Sequence, residues 1–214
     1  MAVRYACTVL LIPVATSFEC ALLRERLSDR ADVMILVTGV GPVNAAHAVT
    51  MAVAQYRPSQ ILVCGVAGAY PESGLAIGDV VSAETECYGD LGASSPGGFL
   101  DMKALGFAVI AGERPIYNEL PMQIFPTARR AKFVTMSTCT GMHDAAVAIE
   151  RRTGGAVENM EGAAVAHVAH LVGIPVGEVR GISNIVTTRD TASWRLKDAA
   201  TAAQHAVLDW IARR

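Results

Sequence analysis

The chain has 214 residues with a formal net charge of -2, and 52% of the residues are hydrophobic while only 18% are charged. The near-neutral charge, without any run of Lys or Arg, argues against a nucleic-acid partner. The length suits one domain over residues 1–214. So few charges also predict that a second copy of the chain covers part of the surface, most simply in a homodimer.

The cysteines and the N-terminal segment bear on the cellular compartment. Five cysteines are scattered and form no CxxC pair, which favours a reducing cytoplasm over a disulfide framework or a zinc site. Residues 5–15 follow Arg4 and could imitate a short signal peptide. A buried strand followed by a helix is favoured, because the same rhythm recurs downstream. The apolar run is also too short to span a bilayer, so no membrane partner is expected.

Apolar periodicity and turn residues predict strands that alternate with helices. Predicted strands cover residues 7–15, 32–38, 61–64, 79–86, 133–137 and 176–183. Predicted helices cover residues 18–27, 42–55, 142–152, 160–171 and 192–212. Residues 89–126 read as loop-rich, with a break at Pro96-Gly97-Gly98. This order predicts a single α/β domain with a largely parallel or mixed sheet that helices cover on both faces.

Three patterns have ordinary structural interpretations. The stretch from Gly39 to Asn44 resembles half of a dinucleotide fingerprint, but the third glycine and the downstream acid are missing, so a tight strand-to-helix turn is favoured. His167 and His170 lie three apart without an HExxH motif, which is typical of hydrogen-bonded helix histidines rather than metal ligands. No histidine signal marks Cys139 as an activated nucleophile, so a packed thiol is favoured.

Two polar side chains fall where an α/β unit keeps its ligands. Glu161 stands at a predicted helix start, and Asn184 stands at the end of the next apolar strand. A carboxylate can accept two ribose hydroxyls, and an amide can both donate to and accept from a purine edge. Glu19 follows the first strand and is a further candidate. Each also has a plain reading, since Glu19 and Glu161 could complement helix dipoles and Asn184 could be a turn residue.

The combination of motifs resembles the nucleoside phosphorylase/nucleosidase superfamily over nearly the whole chain. The matching segments are Gly39-Val40-Gly41, Gly65-Val66-Ala67-Gly68, Ile77-Gly78-Asp79-Val80-Val81, Met160-Glu161 and Arg180-Gly181-Ile182-Ser183-Asn184. Within it, the chain is most similar to the futalosine hydrolases of the menaquinone pathway. That match includes Tyr88-Gly89-Asp90-Leu91-Gly92, Glu158-Asn159-Met160-Glu161-Gly162-Ala163-Ala164, and Gly181 to Val186 followed by Arg189-Asp190. The resemblance implies a three-layer sandwich with a central mixed β-sheet flanked by helices.

The resemblance also implies roles for individual residues. Glu19 corresponds to the carboxylate that activates water. Met160 and Glu161 correspond to the pair that packs under the ribose and hydrogen-bonds it. The remaining implied positions line the substrate pocket or support it: Ala67, Gly68, Arg180, Ser183 and Trp194. Two positions depart from the pattern, because Val66 replaces a small polar residue and Ala69 replaces a glycine. Residues 89–130 align poorly, so the wall facing the distal part of the substrate is not assigned.

The residue at position 184 bears on the purine. An asparagine can donate to O6 of a 6-oxopurine and accept from its N7–H, whereas adenine-specific nucleosidases carry an aspartate there. Asn184 therefore favours a 6-oxopurine nucleoside, and residues 14–19 hold no Lys or Arg for phosphate, so hydrolysis is expected rather than phosphorolysis. The resemblance implies futalosine as the substrate, and no metal or organic cofactor is expected. Rival interpretations are an adenine nucleosidase acting on methylthioadenosine, adenosylhomocysteine or aminodeoxyfutalosine, a purine nucleoside phosphorylase, and a noncatalytic nucleoside sensor. A dinucleotide-dependent oxidoreductase is the least favoured.

Overall fold

The computed structural model describes residues 9–127 and 129–214. The strands are β1 (Leu10–Val14), β2 (Val33–Val37), β3 (Gln60–Ala69), β4 (Val80–Tyr88), β5 (Gly92–Ser95), β6 (Gly98–Asp101), β7 (Glu119–Pro121), β8 (Arg129–Thr135), β9 (Val157–Asn159) and β10 (Val176–Ile185). The helices are α1 (Ala21–Arg26), α2 (Pro42–Tyr56), α3 (Met102–Leu105), α4 (His143–Thr153), α5 (Gly162–Val172) and α6 (Leu196–Ile211). Residues 4–8 of the predicted N-terminal segment lie outside the described residues.

The strands form one mixed sheet in the order β2-β1-β3-β10-β4-β8-β9, with β7 added against β4. The last strand, β9, turns back and pairs antiparallel with the end of β3 at Gly68 and Ala69. Five strands (β3, β10, β4, β8 and β9) therefore close into a ring, while β1 and β2 extend the sheet from β3. The predicted mixed α/β fold is confirmed, and the ring closure is a feature that the sequence patterns do not indicate.

Helices cover both faces of the sheet because its central strands are apolar on both sides. Along β3, Ile61 and Val63 join the core beneath α2 and α5, while Leu62 and Cys64 join the core beneath α1 and α6. Successive side chains of a strand point to opposite faces, so a continuous apolar run fills both layers. This run is what makes the three-layer arrangement stable.

The structure corrects several of the predicted helix and strand boundaries. The predicted helix at 18–27 splits into a 3₁₀ turn (Ser17–Cys20) and α1, and the closing helix begins only at Leu196, after a separate 3₁₀ turn (Thr191–Ser193). The predicted strand at 61–64 is longer in the structure, where β3 continues to Ala69 because β10 and β9 both hydrogen-bond to it. The loop-rich segment holds the β5–β6 hairpin, which turns at Pro96-Gly97.

A helix that crosses a bilayer must be both long and apolar. Within residues 9–127 and 129–214, none of the helices meets both conditions.

Candidate active site

One cavity opens where the carboxyl ends of β1, β3 and β10 meet. These three strands run parallel, so the segments that follow them emerge at the same edge of the sheet. All nine site residues named from the sequence line this cavity: Glu19, Ala67, Gly68, Met160, Glu161, Arg180, Ser183, Asn184 and Trp194. The fold thus brings together residues that are up to 175 positions apart in the chain, counted from 19 to 194.

Glu19 is held on the 3₁₀ turn that follows β1, and it is 3% exposed. Its Oε2 accepts hydrogen bonds from the Thr16 backbone N–H at 2.9 Å and from the Thr16 hydroxyl at 2.7 Å. Its Oε1 accepts a hydrogen bond from the Val66 N–H at 3.0 Å. A carboxylate has about four lone-pair sites. The three donors thus fix the side chain and leave one acceptor position on Oε1.

Glu161 directly precedes α5 and is held from two sides. The Gly41 N–H donates to its Oε1 at 3.0 Å, and Arg180 Nη2 lies 3.4 Å from its Oε2. Gly41 has a φ of 95°, in the left-handed region that favours glycine. The Gly39–Gly41 turn is therefore the tight strand-to-helix turn expected from the sequence, and it also positions the carboxylate of Glu161.

Arg180 lies at the centre of the site and is only 1% exposed. Its Nε donates to Glu178 Oε1 at 2.8 Å, and its Nη1 donates to the Val66 carbonyl at 3.2 Å. Burial opposes the charge of the guanidinium, but the charges of Glu178 and Glu161 outweigh burial and raise its pKa. Arg180 therefore stays charged and links the carboxylate of Glu161 to the strand that carries Val66.

A β-bulge in β10 explains why Ser183 and Asn184, neighbours in sequence, both line the cavity. Ile182 pairs with Ala67 and Asn184 pairs with Gly68, so Ser183 is the extra residue. Neighbouring strand residues normally face opposite sides, and a bulge re-aims them. The Ser183 hydroxyl lies 2.8 Å from Asn184 Oδ1 and 3.1 Å from the Ala67 carbonyl. Donation to Oδ1 leaves the amide NH₂ free for a ligand.

Sequence reasoning assigned no role to part of the cavity wall. The unassigned lining residues include Phe18, Cys139, Thr140, Glu158 and Val186. Glu158 is buried and accepts from the Thr140 N–H, the Thr140 hydroxyl and the Tyr70 hydroxyl. Its position beside the Met160-Glu161 pair was the one available sequence signal. The Cys139 thiol lies 3.3 Å from the Met160 sulfur, in keeping with the expected packed thiol.

The two helix histidines lie away from the cavity. His167 Nδ1 is 3.3 Å from the Tyr88 hydroxyl, and His170 Nε2 is 2.9 Å from the Pro121 carbonyl. In the described parts of the chain, no three His, Cys, Asp or Glu side chains converge as a metal site would require. Both histidines therefore have the hydrogen-bonded helix environment that their spacing predicted.

Comparison with known proteins places the chain in a family. The model of the phosphorylase superfamily matches residues 19–212. The futalosine hydrolase of Thermus thermophilus is 36% identical over 181 residues, which cover 80% of this chain and 78% of that protein. The futalosine hydrolase of Streptomyces coelicolor is 38% identical over 190 residues, 86% of this chain and 79% of that protein. The chain belongs to the futalosine hydrolase family of the phosphorylase superfamily.

A solved structure has the same fold. The 5'-methylthioadenosine/S-adenosylhomocysteine nucleosidase of Neisseria meningitidis, in complex with methylthio-immucillin-A, superimposes with a TM-score of 0.82 at 19% identity. The superposition covers 97% of this chain and all of that one. At this identity the likeness shows the shared fold alone.

Gly65 is a testable requirement of this superfamily site. A Cβ at that position would lie 2.6 Å from Glu19 Oε1 and 2.7 Å from Arg180 Nη1. We expect Gly65→Ala to displace both side chains and to lower the free energy of unfolding by about 1–3 kcal/mol. Chemical denaturation measures this loss, and Gly97→Ala is the matched control because its nearest neighbour would be 3.8 Å away. Equal stability of the two variants would contradict the packing described for Glu19.

Proposed function

We propose that this cavity hydrolyses the N-glycosidic bond of a 6-oxopurine nucleoside. The substrate is futalosine, and the products are hypoxanthine and dehypoxanthine futalosine, as a step of menaquinone biosynthesis. The observation that carries the proposal is the convergence of Glu19, Glu161 and Asn184 on one cavity. The kinship with two futalosine hydrolases supports the choice of substrate.

Glu19 acts as the general base for water. Its remaining acceptor position on Oε1 binds the water molecule, while the Thr16 and Val66 donors keep the carboxylate from turning away. Cleavage of the glycosidic bond builds positive charge on the ribosyl carbon, and water must then lose a proton as it attacks. A positioned carboxylate contributes about 10²–10⁴-fold to such a step.

Glu161 and Met160 hold the ribose. The Gly41 N–H and Arg180 each occupy one side of the Glu161 carboxylate, so both of its oxygens keep lone pairs for the two ribose hydroxyls. Its negative charge also stabilises the ribosyl cation as that cation develops. Met160, which is half-buried on the cavity wall, packs against the sugar.

Asn184 reads the purine. The amide NH₂ donates to O6, and the second lone pair of Oδ1 accepts from N7–H once N7 has taken a proton from solvent. The base then leaves as a neutral molecule, and Glu19 later returns the proton of the attacking water to solvent. Ser183 supports this orientation through its contact with Oδ1. Trp194 adds an aromatic wall, with the Arg189 guanidinium 5.4 Å from its ring centre. An adenine nucleoside presents a donor at C6, so it is disfavoured at this site.

The charge of the cavity favours hydrolysis over phosphorolysis. A phosphorylase binds phosphate with cationic side chains. Among the described residues, Arg180 is the only Lys or Arg that lines this cavity, and all three of its nitrogens have partners in Glu178, Val66 and Glu161. Three lining carboxylates (Glu19, Glu158 and Glu161) would also repel phosphate.

A substrate panel tests the proposal. The protein is incubated with futalosine, inosine and methylthioadenosine, with and without phosphate, and free base and sugar are measured. We expect phosphate-independent release of hypoxanthine, fastest from futalosine. Faster release of adenine from methylthioadenosine would favour the adenine nucleosidase instead, and tight binding without any release would favour a sensor.

We also propose that the protein is a cytoplasmic homodimer. Val43 and Met51 are 82% and 57% exposed on one stripe of α2, and Leu171 and Val172 are exposed at the end of the neighbouring α5. This apolar surface is suited to a second copy of the chain. Sedimentation at about micromolar concentration should give twice the mass of one chain, and Met51→Glu should shift the protein toward the monomer. A wild-type protein that sediments as a single chain would contradict the proposal.

A further inference from the structure

Two glutamates with no part in the proposed chemistry lie behind the cavity. Glu86 on β4 and Glu178 on β10 are both 0% exposed. A Cβ on Gly162 would lie 2.1 Å from Glu86 Oε1 and 2.3 Å from Glu178 Oε2, so these two oxygens are close neighbours across the glycine. Two ionised carboxylates this close and this buried would repel strongly.

One carboxylate oxygen of the pair lacks a hydrogen-bond donor among the described residues. Glu86 receives hydrogen bonds from the Thr135 hydroxyl at 3.1 Å and the Asn159 amide at 2.5 Å. Glu178 Oε1 accepts from Arg180 at 2.8 Å, whereas Glu178 Oε2 has no donor in the described structure. A buried oxygen without a donor is costly. A proton on Glu86 supplies that donor and removes the repulsion at once.

We propose that Glu86 and Glu178 share one proton, held mainly by Glu86, and that Glu178 is the positioning residue that orients Arg180 beneath the nucleoside site. The position of Arg180 in turn fixes groups of the site, because its Nη1 donates to the Val66 carbonyl and its Nη2 faces Glu161. Val66 in turn donates its N–H to Glu19. A chain of contacts thus runs from the buried pair to both carboxylates of the proposed mechanism.

The directions in which the pKa values of the two glutamates shift agree with a proton on Glu86. Burial, and then the charge of Glu178, raises the pKa of Glu86 well above its usual range. Burial also raises the pKa of Glu178, while the charge of Arg180 and its hydrogen bond act in the opposite direction. The titratable and charged groups near the pair are Arg180 and, beyond it, Glu161, with Cys87 and Tyr88 next on β4. Arg180 therefore keeps Glu178 ionised and leaves the proton to Glu86.

The sign of the pH dependence follows from the raised pKa. The folded protein holds a proton that the unfolded chain releases at lower pH. Stability from this proton is complete below the pKa of the unfolded glutamate, and it is lost as pH rises through the higher pKa of the folded state. Between these two pKa values, the equilibrium constant for unfolding of the wild type should increase by up to about tenfold per pH unit. The comparison is with Glu86→Gln, in which position 86 cannot titrate.

The decisive measurement follows the carboxyl signals of the wild type, labelled with carbon-13 at glutamate, by NMR as pH rises. We expect one glutamate carboxyl to stay protonated at pH values where an ordinary glutamate, with a pKa of about 4.3, is ionised. That signal should vanish in Glu86→Gln and persist in Glu84→Gln, a control on the same strand whose side chain is exposed. Ionisation of every glutamate in the ordinary range, around a pKa of about 4.3, would overturn the proposal without any need for a variant.

Measurements of kcat/KM for the variants test the positioning role and rest on the proposed function. The NMR titration does not depend on that function, so failure of one can be told from failure of the other. Glu86→Gln keeps a donor toward Glu178 but no longer accepts from the Asn159 amide, so we expect it to lose about 1–3 kcal/mol of stability at every pH. Its kcat/KM should stay within about threefold of the wild type. Glu178→Gln removes the carboxylate that holds Arg180 and should lower kcat/KM about tenfold or more, with thermal unfolding measured alongside. A protonated Glu86 together with unaltered kinetics in Glu178→Gln would overturn the positioning role.

Discussion

Replacing Glu19 by glutamine is expected to lower kcat by about 10²–10⁴-fold while KM changes little. The amide keeps the shape of the side chain but cannot take a proton from water. The hydrogen bonds of Glu19 predict a loss of stability as well. The groups that bond its carboxylate, from Thr16 and Val66, are all donors. The NH₂ group of the amide would therefore point at another hydrogen-bond donor. We expect this contact to lower folding stability by a further amount of about 1–3 kcal/mol, which is the cost of an unpaired buried polar group.

The measurement is steady-state kinetics of base release, with substrate affinity from calorimetry and stability from denaturation. Glu25→Gln is the matched control, since Glu25 lies on α1 with a 71% exposed side chain whose ion pair among the described residues is with Arg26. It should behave like the wild type. Near-normal kcat in Glu19→Gln would mean that another group activates water.

Replacing Asn184 by aspartate is expected to lower kcat/KM for futalosine about ten- to a hundredfold and to shift preference toward adenine nucleosides. The ionised carboxylate turns a lone pair toward O6, where the amide offered a donor. Two facing acceptors repel, and O6 stays unpaired in a closed pocket at a cost of about 1–3 kcal/mol. Ser183 can still donate to the carboxylate, so the side chain keeps its place. With a 6-amino purine the carboxylate accepts from the amine, and the effect reverses.

The gain for adenine nucleosides should be smaller than the loss for futalosine, because the rest of the pocket is unchanged. The measurement is kcat/KM for futalosine and for its 6-amino analogue in both proteins, so each substrate serves as the control for the other. A ratio that does not move would mean that Asn184 does not read the purine edge.

Local chemistry predicted much of the fold and the main polar groups of the site. Apolar periodicity indicated the strands and helices, and strand-to-turn transitions made Glu19, Glu161 and Asn184 candidates, while the resemblance to the superfamily supplied their roles. The β-bulge at Ser183 was not readable, because it depends on the register between β10 and β3. The short strands of residues 89–126 were also missed, since each depends on pairing with another strand rather than on its own periodicity.

The buried glutamates show where sequence reasoning ends. Glu178 and Arg180 lie two apart in an apolar strand, which places both side chains on one face and was a signal that could have been used. Their partner Glu86 comes from β4, and nothing in the local sequence relates it to Glu178. Only the antiparallel pairing of β4 with β10 and the absence of a side chain at Gly162 bring the two carboxyls together.

The central claim is that water, activated at Glu19, cleaves a 6-oxopurine nucleoside in this cavity. The most direct measurement is the turnover of futalosine in water labelled with heavy oxygen, with phosphate present, followed by mass spectrometry of both products. The account predicts free hypoxanthine and a sugar that carries one labelled oxygen at the anomeric hydroxyl, at a rate that phosphate does not alter. An unlabelled sugar phosphate, formed only when phosphate is present, would contradict it.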